Sequence, residues 1–209
     1  PADGAIAVAL LPRIALSFSR GVTSESLSGI SFMLAEGGPA ISLSFQASVD
    51  TSQWVLIPAA PLDPSQQYSL LIGTEVIAED GGVLQEPVVA GFTTGDFVDT
   101  TAPSVAFDEL PLLVGPKHLT QTGELILSGD VTDEDTTVAW LSASLRVDEE
   151  LFDLGILETL DGDHFEFSWS PTLSTQAIDA VGEFFVRAVD VAGNVSENTT
   201  TVDLDFVGP

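Results

Sequence analysis

Phe97-Val98-Asp99-Thr100-Thr101-Ala102-Pro103-Ser104-Val105 stands almost at the midpoint of the 209 residues and decides how the chain is divided. It follows an apolar run that ends in Thr93-Thr94-Gly95-Asp96, and a fresh alternating run begins at Val105. The residue before a proline is pushed out of the helical region, so Ala102-Pro103 reads as an extended connector. Two β-rich units are expected, residues 1–98 and residues 99–209, each of ordinary domain size.

On both sides of the connector, short runs alternate between apolar and polar residues, and turn residues separate them. The first half offers Ile6 to Leu10, Ile14 to Phe18, Ile30 to Leu34, Ile41 to Phe45, Trp54 to Ile57, Tyr68 to Ile72 and Val88 to Thr93, with a single helical turn near Leu27. The second half offers Ser104 to Phe107, Glu124 to Val131, Thr137 to Val147, Leu151 to Leu157, His164 to Trp169, Glu183 to Val189 and Thr199 to Phe206. Seven runs per hundred residues suit a sandwich of two antiparallel sheets. Glu36-Gly37-Gly38-Pro39 and Asp80-Gly81-Gly82 are turn signals, and Leu160-Asp161-Gly162-Asp163 reads as a hairpin between two strands. The expected fold is all-β: two tandem Ig-like antiparallel β-sandwiches.

Hydrophobic residues make up 44% of the chain, enough for packed cores. No apolar stretch approaches the ~18 residues of a membrane span. The opening Pro1-Ala2-Asp3-Gly4 has neither the basic nor the apolar region of a signal peptide, so a removed signal or an excised segment is expected. Cysteine is absent, which removes disulfides, thiolate metal sites and cysteine nucleophiles. The net charge of −27 comes mainly from a shortage of cations, for Arg13, Arg20, Lys117, Arg146 and Arg187 are the whole supply. Residues 1–98 hold 10 acids and 2 bases, whereas residues 99–209 hold 22 acids and 3 bases. Salt adaptation would acidify both halves alike. Such a surface repels nucleic acid and anionic membranes and attracts cations, most strongly in the second half.

Several spacings resemble one family. Pro1-Ala2-Asp3-Gly4-Ala5, Ile14-x-Leu16-x-Phe18-Ser19-x-x-Val22, Ile57-Pro58-Ala59-Ala60-Pro61-Leu62-x-Pro64-x-x-x-Tyr68 and Phe92-Thr93-Thr94-Gly95 resemble a bacterial Ig-like domain of S-layer and other surface proteins. Tyr68, the only tyrosine, stands where such sandwiches place a tyrosine corner, its hydroxyl bonded to nearby backbone. Gly129-Asp130-Val131-Thr132-Asp133 with Arg187-Ala188-Val189-Asp190-Val191-Ala192-Gly193-Asn194-Val195-Ser196 resembles a second bacterial Ig-like module, one common in tandem arrays. The resemblance implies a secreted or cell-surface protein with neighbouring domains as partners.

Catalysis finds little support. His118 and His164 are far apart and lack a Ser or Cys pattern, and there is no nucleophile elbow, phosphate loop or zinc helix. His164 alternates with Phe165 and Phe167 and should face solvent. A calcium site is the better candidate, since calcium takes six to eight oxygens from Asp, Asn and backbone carbonyls on loops. In an Ig-like sandwich the loop after the second strand and the loop between the last two strands share one end. Asp130, Asp133 and Asp135 lie in or beside the first loop, Asp190 and Asn194 in the second, and Asp99 precedes the strand that starts there. Turn chemistry alone also accounts for Asp and Asn at such positions. A third reading places a glycan or protein ligand on exposed aromatics: the phase of Thr137 to Val147 turns Trp140 to the surface or against the other domain, Trp169 reads as core, and Trp54 is open. The expectation is a non-catalytic spacer or adhesion segment of an exported surface protein, calcium-stiffened at the connector. The alternative is a glycan- or protein-binding accessory module of a larger enzyme or adhesin.

Overall fold

A computed structural model describes residues 1–47, 51–110, 113–114, 124–158, 160, 163–170 and 179–205. The chain falls into two compact units that divide between Asp99 and Thr100, with Val191–Gly193 grouped with the first.

The first unit carries β1 (Ala5–Val8), β2 (Ile14–Ser17), a 3-10 turn (Ser24–Gly29), β3 (Ile30–Leu34), β4 (Leu43–Ala47), β5 (Gln53–Pro58), β6 (Gln67–Ile72) and β7 (Val88–Thr94). They form a four-stranded sheet in the order β1-β7-β6-β3 and a three-stranded sheet in the order β2-β5-β4. Alternation sets which side chains meet. On β6, Tyr68, Leu70 and Ile72 are buried while Ser69 and Leu71 point outward, and the other sheet answers with Ile14, Trp54 and Leu56. Phe32, Tyr68 and Phe92 form one aromatic cluster, with centroids 5.4 Å (Phe32–Tyr68) and 5.8 Å (Phe32–Phe92) apart. The glycine turns do their expected work: Gly37 and Gly81 take φ of 93° and 84°, a region closed to most side chains.

Tyr68 is 2% exposed, and its hydroxyl accepts the Asp63 backbone N–H at 2.9 Å. That is the tyrosine-corner bond, and it pins the chain where it enters β6. Thr94, buried at the end of β7, reinforces the same corner by donating to the Asp63 carbonyl at 2.8 Å.

The second unit carries β8 (Ser104–Phe107), β9 (Leu113–Val114), β10 (Leu125–Thr132), β11 (Val138–Val147), β12 (Glu150–Leu157), β13 (His164–Trp169), β14 (Asp179–Asp190) and β15 (Val195–Asp205). Its sheets are β13-β10-β8 and β12-β11-β14-β15-β9. Phe165, Phe167 and Trp169 face Leu141, Leu145, Phe184, Val186 and Leu204 across the core. Gly129 lets β8 come close, because a Cβ there would run into the Ala106 carbonyl oxygen and the Phe107 Cα.

Three expectations change. β9, which pairs in parallel with β15, has no counterpart among the strands read from the sequence. The turn expected at Asp161-Gly162 lies outside the described residues, but its flanking strands do not form a hairpin: β12 pairs with β11, and β13 pairs with β10. That connection crosses from one sheet to the other. Trp140 is 5% exposed and so not open at the surface, although it stands outside the unit's core cluster, with the Arg187 guanidinium over its ring.

Candidate metal centre

In the second unit, the loop leaving β10 and the turn joining β14 to β15 meet at one end of the sandwich. Asp133 and Asp190 each bring a carboxylate oxygen within 4.8 Å of the other. Asp133 organises its own loop. Its Oδ1 accepts the backbone N–H groups of Asp135 at 3.1 Å and Thr136 at 2.7 Å, and the Thr136 hydroxyl at 3.2 Å. This is the turn chemistry expected of an aspartate at such a position, and it occupies one oxygen. The other, Oδ2, is shut off from solvent and has no hydrogen-bond partner.

Asp190 is fully buried. Its Oδ1 accepts the Asn194 backbone N–H and its Oδ2 the Asn194 side-chain amide, both at 2.9 Å. Gly193, at φ 86°, lets the chain reverse between them. A carboxylate oxygen holding one hydrogen bond retains a lone pair, so Asp190 keeps the capacity to ligate a cation. Two ionised carboxylates at this spacing repel by about 3–4 kcal/mol at the effective dielectric of a protein surface. Burial of an unpaired anionic oxygen adds to that cost.

Asn194, Asp135 and Asp130, also expected in a metal site, are held by other partners. Asn194 serves Asp190 as described. Asp135 is exposed, and its Oδ2 accepts the Thr101 hydroxyl at 3.0 Å, so the chain enters the unit alongside this loop. Asp99 is half-buried, two residues before Thr101. Asp130 belongs elsewhere. It sits on β10 opposite His164 of β13, with Oδ1 3.1 Å from Nδ1. Its phase explains this: Gly129 and Val131 are buried, so Asp130 between them faces outward from the sheet. Thr101 and Thr136, which hold the loop, were not singled out in the sequence, where hydroxyls in a Thr-rich stretch carry no distinguishing signal.

Trp54, Trp140 and Trp169 are 6%, 5% and 6% exposed, so no tryptophan offers an open ring for a sugar to stack on. The Trp54 indole donates to the Thr51 carbonyl at 2.9 Å, and the Arg187 guanidinium lies over the Trp140 ring. No described helix is long and apolar enough to cross a membrane.

No curated protein matches the chain in sequence. Among solved structures it is similar to domains 1–6 of the surface layer protein SbsC, at 12% identity and a TM-score of 0.40 over 98% of this chain and 41% of that one. The chain thus spans about two fifths of that S-layer chain. It is also similar to the superoxide reductase (neelaredoxin) from Ignicoccus hospitalis, at 10% identity and a TM-score of 0.36 over 50% of this chain and 81% of that one. A third similarity is to the FN1–FN3 domains of chicken CNTN1, at 14% identity and a TM-score of 0.34 over 100% of this chain and 67% of that one. The family comparison is local to the unit that carries the tyrosine corner: residues 1–94 match the bacterial Ig-like domain family.

Proposed function

We propose that this chain is a non-catalytic spacer or adhesion segment of an exported bacterial surface protein, and that its second unit takes up a calcium ion through Asp133 and Asp190. The observation that carries the calcium reading is the Asp133 Oδ2: a buried carboxylate oxygen without a partner, beside a second, fully buried carboxylate. Turn chemistry accounts for Oδ1 and leaves Oδ2 unexplained. A hard cation fits that oxygen, because calcium accepts monodentate carboxylates and fills its remaining positions with carbonyls and water. The acid excess of residues 99–209 raises the local concentration of cations around such a site.

Calorimetric titration of calcium into the intact chain tests this reading. One binding event is expected, with a dissociation constant on the order of 10⁻⁴ to 10⁻³ M, as for extracellular modules. Asp133→Asn keeps an oxygen to accept from Asp135 and Thr136 but removes the charge, so the variant should fold and lose binding. Absence of any calcium uptake by the parent chain would overturn the calcium reading.

A further inference from the structure

The outer face of the β13-β10-β8 sheet carries a second group of metal-capable side chains, well separated in chemistry from Asp133 and Asp190. His164 and Glu166 are two residues apart on β13 and share its outward phase, while Phe165 and Phe167 fill the core. The neighbouring strand places Asp130 opposite His164 and Ser128 opposite Glu166. Ser128 is itself occupied, its hydroxyl donating to Asp108 at 2.6 Å.

The Asp130 contact fixes the imidazole tautomer. An ionised carboxylate only accepts hydrogen bonds, so the His164 Nδ1 at 3.1 Å from Asp130 Oδ1 must carry the proton. In the neutral ring the lone pair then resides on Nε2, and the Glu166 Oε1 lies 3.9 Å from that atom. Donors sharing one tetrahedral ion at the usual bond lengths stand roughly 3.4 Å apart. The exposed Glu166 side chain closes the difference by a small rotation.

We propose that His164 and Glu166 bind a divalent transition-metal ion such as zinc or nickel, with Asp130 as the outer partner that orients the ring. A carboxylate behind a ligating histidine is the usual arrangement at such centres, for it sets the tautomer and raises ligand basicity. Water completes the coordination. Imidazole selects zinc, copper and nickel over calcium, whereas an all-oxygen set does the reverse. The two sites therefore answer to different ions, and this proposal stands or falls independently of the calcium one.

The test is a zinc titration of the intact chain with calcium in excess, followed by calorimetry and by the histidine ring signals in NMR. The expected result is a zinc-dependent shift of the His164 ring and loss of the binding heat in His164→Ala. Glu166→Gln should weaken binding, and Asp130→Asn should weaken it roughly tenfold. His118→Ala, at the chain's other histidine, should change nothing. Unaltered zinc affinity in His164→Ala, or a shift confined to the His118 ring, would overturn the proposal.

Discussion

The two units solve the same architectural problem and secure it by opposite chemistry. In each, a short strand runs parallel to the last strand of its sheet, β1 beside β7 and β9 beside β15, and a second antiparallel sheet closes the core. The first unit ties its loop with a neutral group. The Tyr68 hydroxyl accepts one backbone N–H and needs no counter-ion. The second unit has no tyrosine at all and ties its loops with carboxylates. Asp133 gathers three donors on one oxygen and leaves the other bare, while Asp190 is fully buried. A neutral tie is indifferent to ions. An anionic tie makes stability depend on what the solvent supplies.

Substitutions can break this comparison, starting from the cores. Phe32 is fully buried and touches both other rings of the first unit's aromatic cluster. Phe32→Ala should cost about 3–5 kcal/mol, a large part of a domain's stability, and abolish the first unit's unfolding transition in calorimetry. Gly129→Ala should act on the second unit, forcing β8 off β10 at a cost of about 1–3 kcal/mol, visible as faster amide exchange along β8. An unchanged exchange pattern would mean that the strands approach less closely than described.

Tyr68→Phe isolates the neutral tie. It keeps the ring packing and removes the oxygen, so about 1 kcal/mol should be lost, lowering the first unit's melting point by about 4–8 °C. The second unit's transition should stay where it is, and so should any response to calcium. Alkaline pH reports on the same group. Burial pushes the Tyr68 pKa up, the effect of the Asp63 hydrogen bond being smaller. Its contribution is complete below the phenol's ordinary value near 10 and fades as pH rises through the raised one. Melting curves across that window should fall for the parent chain and stay flatter for Tyr68→Phe.

Much of this was legible in the sequence because it is local. Period-2 runs placed the strands, and Tyr68 at its spacing announced the corner. What escaped was set by partners distant in the chain. β9 is two residues long, and a parallel neighbour such as β15 leaves no mark on Leu113 or Val114. Asp161-Gly162 carries hairpin chemistry, yet β12 and β13 chose β11 and β10 instead, a choice made by cores and not by turns. Trp140 keeps the phase that turns it away from the core, and the Arg187 guanidinium over its ring comes from the neighbouring strand. Asp130 could have been read: its neighbours Gly129 and Val131 are inward, so it belongs to the sheet face and not to the loop beyond. The meeting of Asp133 with Asp190 followed from the shared end of the sandwich, but the bare oxygen on Asp133 needed coordinates.

The contrast between a neutral and an ionic tie is tested most directly by melting the intact chain with calcium and then with a chelator. At hundredfold excess over the dissociation constant, the second unit should gain about 2.7 kcal/mol, a rise on the order of 10 °C in its transition. The first unit's transition should not move, the chelator should reverse the shift, and Asp133→Asn should abolish it. A second-unit transition indifferent to calcium, or a shift that survives Asp133→Asn, would contradict the account.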